Sequence, residues 1–308
     1  MKNNSIEKSY LSISSPGVYL HVPSKDATER AIKLARKVNE YASELKAEHP
    51  DQIGFFASLP LPDVDAAMEE IKYCFTKLDP KPDGIVMMSN YYGLYLGDPV
   101  LDPVYELLNE LEVAIFEHPT TPCTEAHYEK YNYDDNENHD DITPAQWQGL
   151  NRGVADRIRP APVIEFPMDT ARTVTDLLWS SVPDRYPNLT WIIPHVGGAL
   201  LPILDRIQSM SAFYPAIGAN LTHEGVRSTL QKQFYFDLAG PWPITEGIPP
   251  LTRWINYTNV LYGSDVPFTP WAGASATATT MNNIIKDVLP DHKEFTSVFT
   301  RNAKRLLG

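Results

Sequence analysis

Three short segments place an ionisable side chain directly after an apolar run. They are Phe116-Glu-His118-Pro-Thr120, Ile193-Pro-His195-Val-Gly-Gly198 and Tyr262-Gly-Ser-Asp265-Val-Pro-Phe268. Each reads as the C-terminal end of a β-strand. Two imidazoles and a carboxylate brought to one mouth have the chemistry of a zinc or manganese site, or of an acid–base set. A lone histidine after a strand is commonly a satisfied structural residue, but three such endings on separate strands weigh against that for the group. Gly197 and Gly198 suit close approach of a ligand to the backbone.

Weaker candidates surround these. Arg172 is a forked cation that either clamps a substrate carboxylate or forms a structural ion pair. Asp169 precedes a helical run and reads as its N-cap. Asp237 closes a strand and is a candidate to face the pocket. Glu117 neighbours His118 on a strand, so its side chain points the other way. Trp147 and Trp271 fall in loops expected above the strand ends, where they either stack on a ring or pack. His127 and His139 read as solvated.

The elements that must position these groups alternate along the chain. Seven strands are expected, at Tyr10–Ser14, Gly54–Leu59, Gly84–Ser89, Val113–Thr120, Thr190–Val196, Phe234–Ala239 and Val260–Asp265. Segments of helical period separate them, which predicts a parallel sheet with crossover helices. The first helix opens at Asp26 with Glu29 three residues on, a capping-box pattern, and carries Leu34, Val38, Tyr41 and Leu45 on one face. The second has an apolar stripe of Val64, Ala67, Met68, Ile71, Cys74, Phe75 and Leu78, which makes Cys74 a core residue. Later helices are expected near 101–111, 170–182, 199–210, 244–256, 274–289 and 293–307. An acidic loop at about 120–162, rich in aspartate and poor in apolar residues, reads as a lid over the strand ends or a solvated excursion.

Composition narrows the class. The 308 residues are 43% apolar with a formal net charge of −13, so the chain reads as one globular domain over 1–308 that repels nucleic acid and anionic membranes on average. Two cysteines exclude a disulfide framework and fit a reduced, cytoplasmic protein. No apolar stretch reads as a membrane span.

Taken in order, Ser12-Ile-Ser-Ser-Pro-Gly17, Gly54-Phe-Phe-Ala-Ser-Leu-Pro60, Tyr95-Leu-Gly-Asp98, His118-Pro-Thr120, Phe166-Pro-Met-Asp-Thr-Ala-Arg172, His195-Val-Gly-Gly198, Tyr235-Phe-Asp237 and Gly263-Ser-Asp265 carry a resemblance across nearly the whole chain. The sequence resembles the amidohydrolase-2 group, the relatives of 2-amino-3-carboxymuconate-6-semialdehyde decarboxylase, and within it the fungal aromatic-acid decarboxylases of 6-methylsalicylate and orsellinate type. The resemblance implies a TIM-type (β/α)8 barrel with one divalent metal, usually zinc, with manganese as the alternative. It implies metal ligands at His118 and Asp265, an acid–base role for His195, and proton handling by Asp265 or His195. The implied reaction is non-oxidative loss of CO2 from a small ortho-hydroxy aromatic acid in polyketide metabolism, and a homodimer is compatible with it.

One departure stands beside the match. The group begins with a strand ending in His-x-His or a Glu/His variant, and no two of the eight histidines here are two apart. The chain is therefore expected to start at the family's second strand, with a weakened metal site and His21 as a remote substitute ligand. Two other readings stay open: a metal-dependent lactone or ring hydrolase, and a non-catalytic truncated homologue or partner of a complete barrel. Gly84-Ile-Val-Met-Met-Ser-Asn90 has no lysine, which argues against a two-metal hydrolase.

Overall fold

The computed structural model describes residues 6–19, 26–122, 161–211, 213–214, 221–240, 244–288 and 291–308. The expected parallel sheet is present. Its strands are β1 (Ser9–Leu11), β2 (Ile53–Ser58), β3 (Gly84–Met88), β6 (Ala114–His118), β7 (Thr190–Ile193), β8 (Phe234–Asp237) and β9 (Val260–Leu261), joined in that order. Every pairing is parallel, from Ser9↔Ile53 through Met88↔His118 to Asp237↔Leu261. Consecutive strand order with helical crossovers is the TIM-type barrel arrangement. A small antiparallel hairpin, β4 (Asn90–Tyr91) with β5 (Leu94–Tyr95), follows β3 and was not expected from the sequence.

Most strands leave the ladder earlier than the sequence suggests. β7 ends at Ile193 and β9 at Leu261, because the next residues turn to present their side chains rather than pair. Alternation along β6 sorts its residues: Phe116 and His118 line an interior cleft, while Ile115 and Glu117 are fully buried against the helix layer. On that outer face Trp191 stacks on Phe234 at 6.2 Å and meets Tyr105 edge-on. Tyr105 comes from α3 (Asp102–Glu110), which follows α1 (Ala27–Glu48) and α2 (Val64–Thr76).

Helix α1 corrects two expectations. Its buried face is Ala27, Ala31, Ala35, Asn39 and Ser43, whereas Tyr41 is 62% exposed. Small side chains let the helix approach the sheet closely, and Asn39 donates to the Ser58 carbonyl and receives the Ser58 N–H. The Asp26 side chain caps nothing; it pairs with Arg30. Helix α2 buries Ala67, Ile71 and Cys74 of its expected stripe and leaves Val64, Met68 and Phe75 half-buried against the core; the Cys74 thiol is pushed well up by burial.

The later helices are α4 (Glu165–Trp179), α5 (Val182–Arg185), α6 (Leu204–Ser211), α7 (His223–Gln233), α8 (Ile244–Leu251), α9 (Trp271–Val288), α10 (His292–Thr296) and α11 (Asn302–Leu307). The single helix expected over 293–307 is α10 and α11 joined by a π-helical turn, Ser297–Arg301. This C-terminal segment spans the seam between β1 and β9, which are not paired with each other. Asn302 donates to the Val260 carbonyl at 2.8 Å, and the Tyr262 N–H to the Val298 carbonyl at 3.1 Å. Across the seam Lys304 pairs with Glu7 at 2.6 Å, and the Tyr10 hydroxyl donates to the Gly308 carbonyl at 3.3 Å. Helical groups thereby satisfy polar backbone that a strand neighbour would otherwise take. No helix among the described residues is long and apolar enough to cross a membrane.

Candidate active site

The site forms where β6, β7, β8 and β9 end. At the end of β6, the Nδ1 of His118 lies 2.7 Å from the Pro119 carbonyl, which makes Nδ1 the protonated nitrogen and Nε2 the lone-pair nitrogen. After β7 the chain makes a left-handed turn, with φ of 55° at His195, 58° at Val196, 80° at Gly197 and 58° at Gly198. The two non-glycine residues each carry a cost of about 1–2 kcal/mol in this region. At Gly198 a Cβ would fall 2.5 Å from the Pro167 carbonyl oxygen, so only glycine fits against α4.

Asp237, the last residue of β8, reaches back to this turn. Its Oδ1 accepts the N–H of His195 and of Ala239, both at 2.9 Å. The His195 Nδ1 lies 3.1 Å from the Ala239 carbonyl. Beyond β9, Asp265 sits at φ 56°, with Thr269 donating its hydroxyl to Oδ2 at 3.0 Å and its N–H to the Asp265 carbonyl at 2.7 Å. His118, His195, Asp237 and Asp265 line one cleft of about 360 Å³ with Phe56 and Phe116 on its wall. That is the size and the mixture of aromatic surface with a few polar groups expected of a small-molecule site.

Burial sets the charges. The His118 imidazole is pushed down to about 4, chiefly by burial and further by His195, so it is neutral at physiological pH. Burial raises the Asp237 carboxyl, with His195 and the two N–H groups pulling the other way. Glu117 is raised well above the ordinary carboxylate range, chiefly by burial and further by Asp169 and Asp237.

Neutral imidazole and carboxylate are the right donor chemistry for a zinc or manganese ion. Among the described residues, however, no three His, Cys, Asp or Glu side chains stand together closely enough to hold one. His118 and Asp265 both line the cleft, but two such side chains fall short of the three protein ligands of a typical catalytic zinc site.

Other sequence candidates lie elsewhere. Arg172 is not on the cleft wall; it is an exposed partner of Asp169, 3.3 Å away on α4. Asp169 is not an N-cap, since α4 starts at Glu165 and buries Asp169 within it. Glu117 points away from the cleft toward Thr170, as strand alternation requires. His21, His127, His139 and Trp147 lie outside the described residues, as does most of the 120–162 loop; Trp271 opens α9.

The sequence reading missed the network around Asp169. Its carboxylate receives the Ser89 hydroxyl, Asn90 Nδ2 at 2.8 Å and the Tyr95 hydroxyl at 2.6 Å. Ser89 Oγ in turn accepts the Thr120 N–H at 2.9 Å, tying this network to the loop after His118. The polar pair Ser89-Asn90 at the end of an otherwise apolar strand was the available signal.

Comparison with known proteins identifies the family. The family model described as Amidohydrolase matches residues 9–308. Decarboxylase yanB of Aspergillus niger is 32% identical over 281 residues, covering 88% of this chain and 67% of the relative. The 6-methylsalicylic acid decarboxylase of Penicillium expansum is 31% identical, covering 84% and 70%. Among solved structures, 2,6-dihydroxybenzoate decarboxylase from Rhizobium superposes with a TM-score of 0.75 at 23% identity, covering 100% of this chain and 85% of that one. A dihydroxybenzoic acid decarboxylase from Polaromonas sp. JS666, solved with bound manganese, gives 0.75 at 21% identity, with 100% and 83% covered. With a family match over almost its whole length and its polar groups at the strand ends, the chain belongs to the amidohydrolase-2 family.

Proposed function

We propose that the protein is a carboxy-lyase that removes CO2 from an ortho-hydroxy aromatic acid of the 6-methylsalicylate or orsellinate type, in aromatic polyketide metabolism. The observation that carries this reading is the convergence of His118, His195 and Asp265 on one aromatic-walled cleft. The names of the fungal relatives support the same chemistry. Phe56 and Phe116, packed on each other at 5.4 Å between centroids, give the substrate ring one apolar wall. His195, with its Nδ1–H turned to a carbonyl, presents Nε2 for proton transfer, and Asp265 is the second group able to carry that proton. A proton added at the ring carbon bearing the carboxylate lets the carbon–carbon bond break, its electrons restoring the aromatic ring as CO2 leaves.

His118 and Asp265 are the donors that the described residues offer to one divalent metal, zinc or manganese. When bound, such an ion holds substrate oxygens and offsets their negative charge. The test is CO2 release from 6-methylsalicylate and orsellinate with zinc or manganese supplied. Turnover is expected; a panel of ortho-hydroxy aromatic acids giving none at either metal overturns the reading.

A further inference from the structure

The left-handed turn at His195 needs something to hold it, because neither His195 nor Val196 adopts that geometry readily. Asp237 is built to do so. Its Oδ1 grips the His195 amide directly, and by accepting the Ala239 N–H it also fixes the residue whose carbonyl meets the His195 ring at 3.1 Å. One carboxylate oxygen thus closes a bracket around both the backbone and the imidazole of His195. Gly263 keeps the neighbouring strand end out of its way, since a Cβ there would lie 3.1 Å from Asp237 Cγ and 2.8 Å from Ala239 Cβ.

We infer that Asp237 is a positioning residue that acts through His195, locking the imidazole in the Nδ1–H tautomer so that Nε2 serves the reaction. Its place at the end of a strand makes Asp237 a candidate to face the pocket, and it does line the cleft, but its Oδ1 is committed to two main-chain amides. The inference rests on the proposed decarboxylation for its kinetic readout and is independent of it for its spectroscopic one.

The test combines nitrogen-15 NMR of labelled histidine with kinetics on Asp237→Ala and Asp237→Asn, the His195 signal being assigned by its loss in His195→Gln. In Asp237→Ala the ring signal should move toward the Nε2–H form while kcat falls about 100-fold and KM stays within about threefold. Asp237→Asn, which keeps an oxygen acceptor, should restore about tenfold of that loss. An unchanged ring signal in Asp237→Ala overturns the inference, as does a rise in KM at unchanged kcat, which would mark a substrate contact. Should Asp237→Ala not fold, the shorter Asp237→Ser, unable to reach both amides, decides by the same signal. If the wild-type protein releases no CO2, the decarboxylase reading fails while the ring signal still decides on Asp237.

Discussion

The Tyr95 hydroxyl donates to Asp169 Oδ1 at 2.6 Å, joining the hairpin after β3 to a carboxylate buried inside α4. Asp169 is fully buried and receives donors from Ser89, Asn90, Tyr95 and Arg172. Removing one donor leaves the carboxylate still held, whereas removing the carboxylate strands several buried donors. Tyr95→Phe should therefore cost about 1–2 kcal/mol, and Asp169→Ala, which strands Ser89 and Asn90 together, about 2–5 kcal/mol. Urea unfolding measures both; equal losses from the two variants would contradict the network.

His118 is neutral, with its Nδ1–H engaged by the Pro119 carbonyl, the arrangement that readies Nε2 for a metal. His118→Ala should lower bound zinc or manganese, measured by plasma mass spectrometry, by at least about tenfold. CO2 release should fall with it. Chelation should silence the wild-type enzyme and the added metal restore it. Full metal content in His118→Ala would remove this residue from the ligand set.

Glu117 gives a pH signature. Its carboxyl is raised in the folded state, so the stability tied to its neutral form is complete below the unfolded carboxylate range and is lost as pH rises toward the folded value. Glu117→Gln stays neutral throughout. It should match the wild type near pH 4 and exceed it increasingly as pH rises through neutrality, by about 1–3 kcal/mol. Thermal melts across that range measure the gap, and a gap that does not grow with pH would exclude a buried neutral acid.

Gly198 is fixed by two constraints at once, a φ of 58° and a Cβ position 2.5 Å from the Pro167 carbonyl oxygen. Gly198→Ala should lose about 1–3 kcal/mol from backbone strain alone, with the clash against α4 added. A melting temperature equal to wild type would mean that the turn relaxes freely.

The parts of the fold with a strong period were legible in the sequence. The strand endings at His118, His195 and Asp265 stand out because an apolar run stops at an ionisable residue, and all three do line one cleft. Glu117 follows from strand alternation. What was not legible depends on partners remote in sequence. Arg172 carries the same charge beside a substrate or beside Asp169, and only packing decides. The buried face of α1 fell on alanines because close approach to the sheet outweighs side-chain size. Asp237 reads from the sequence as a pocket residue and does line the cleft, but its hydrogen bond from the His195 amide appears only once β7 and β8 are side by side.

The bridge across the seam has a consequence for how the molecule is assembled. Tyr10 meets Gly308 across 298 residues, and Lys304 meets Glu7 across 297. Contacts of such separation demand a large chain-entropy cost before they return any binding energy. The neighbouring pairings from β2 to β9 link segments much nearer in sequence, so the sheet can zip along its length while its two margins wait for each other. The bridged seam is in this sense a clasp, and the cleft beside it is lined by residues of both margins, Tyr10 and Leu11 on one side and Phe299 and Ala303 on the other.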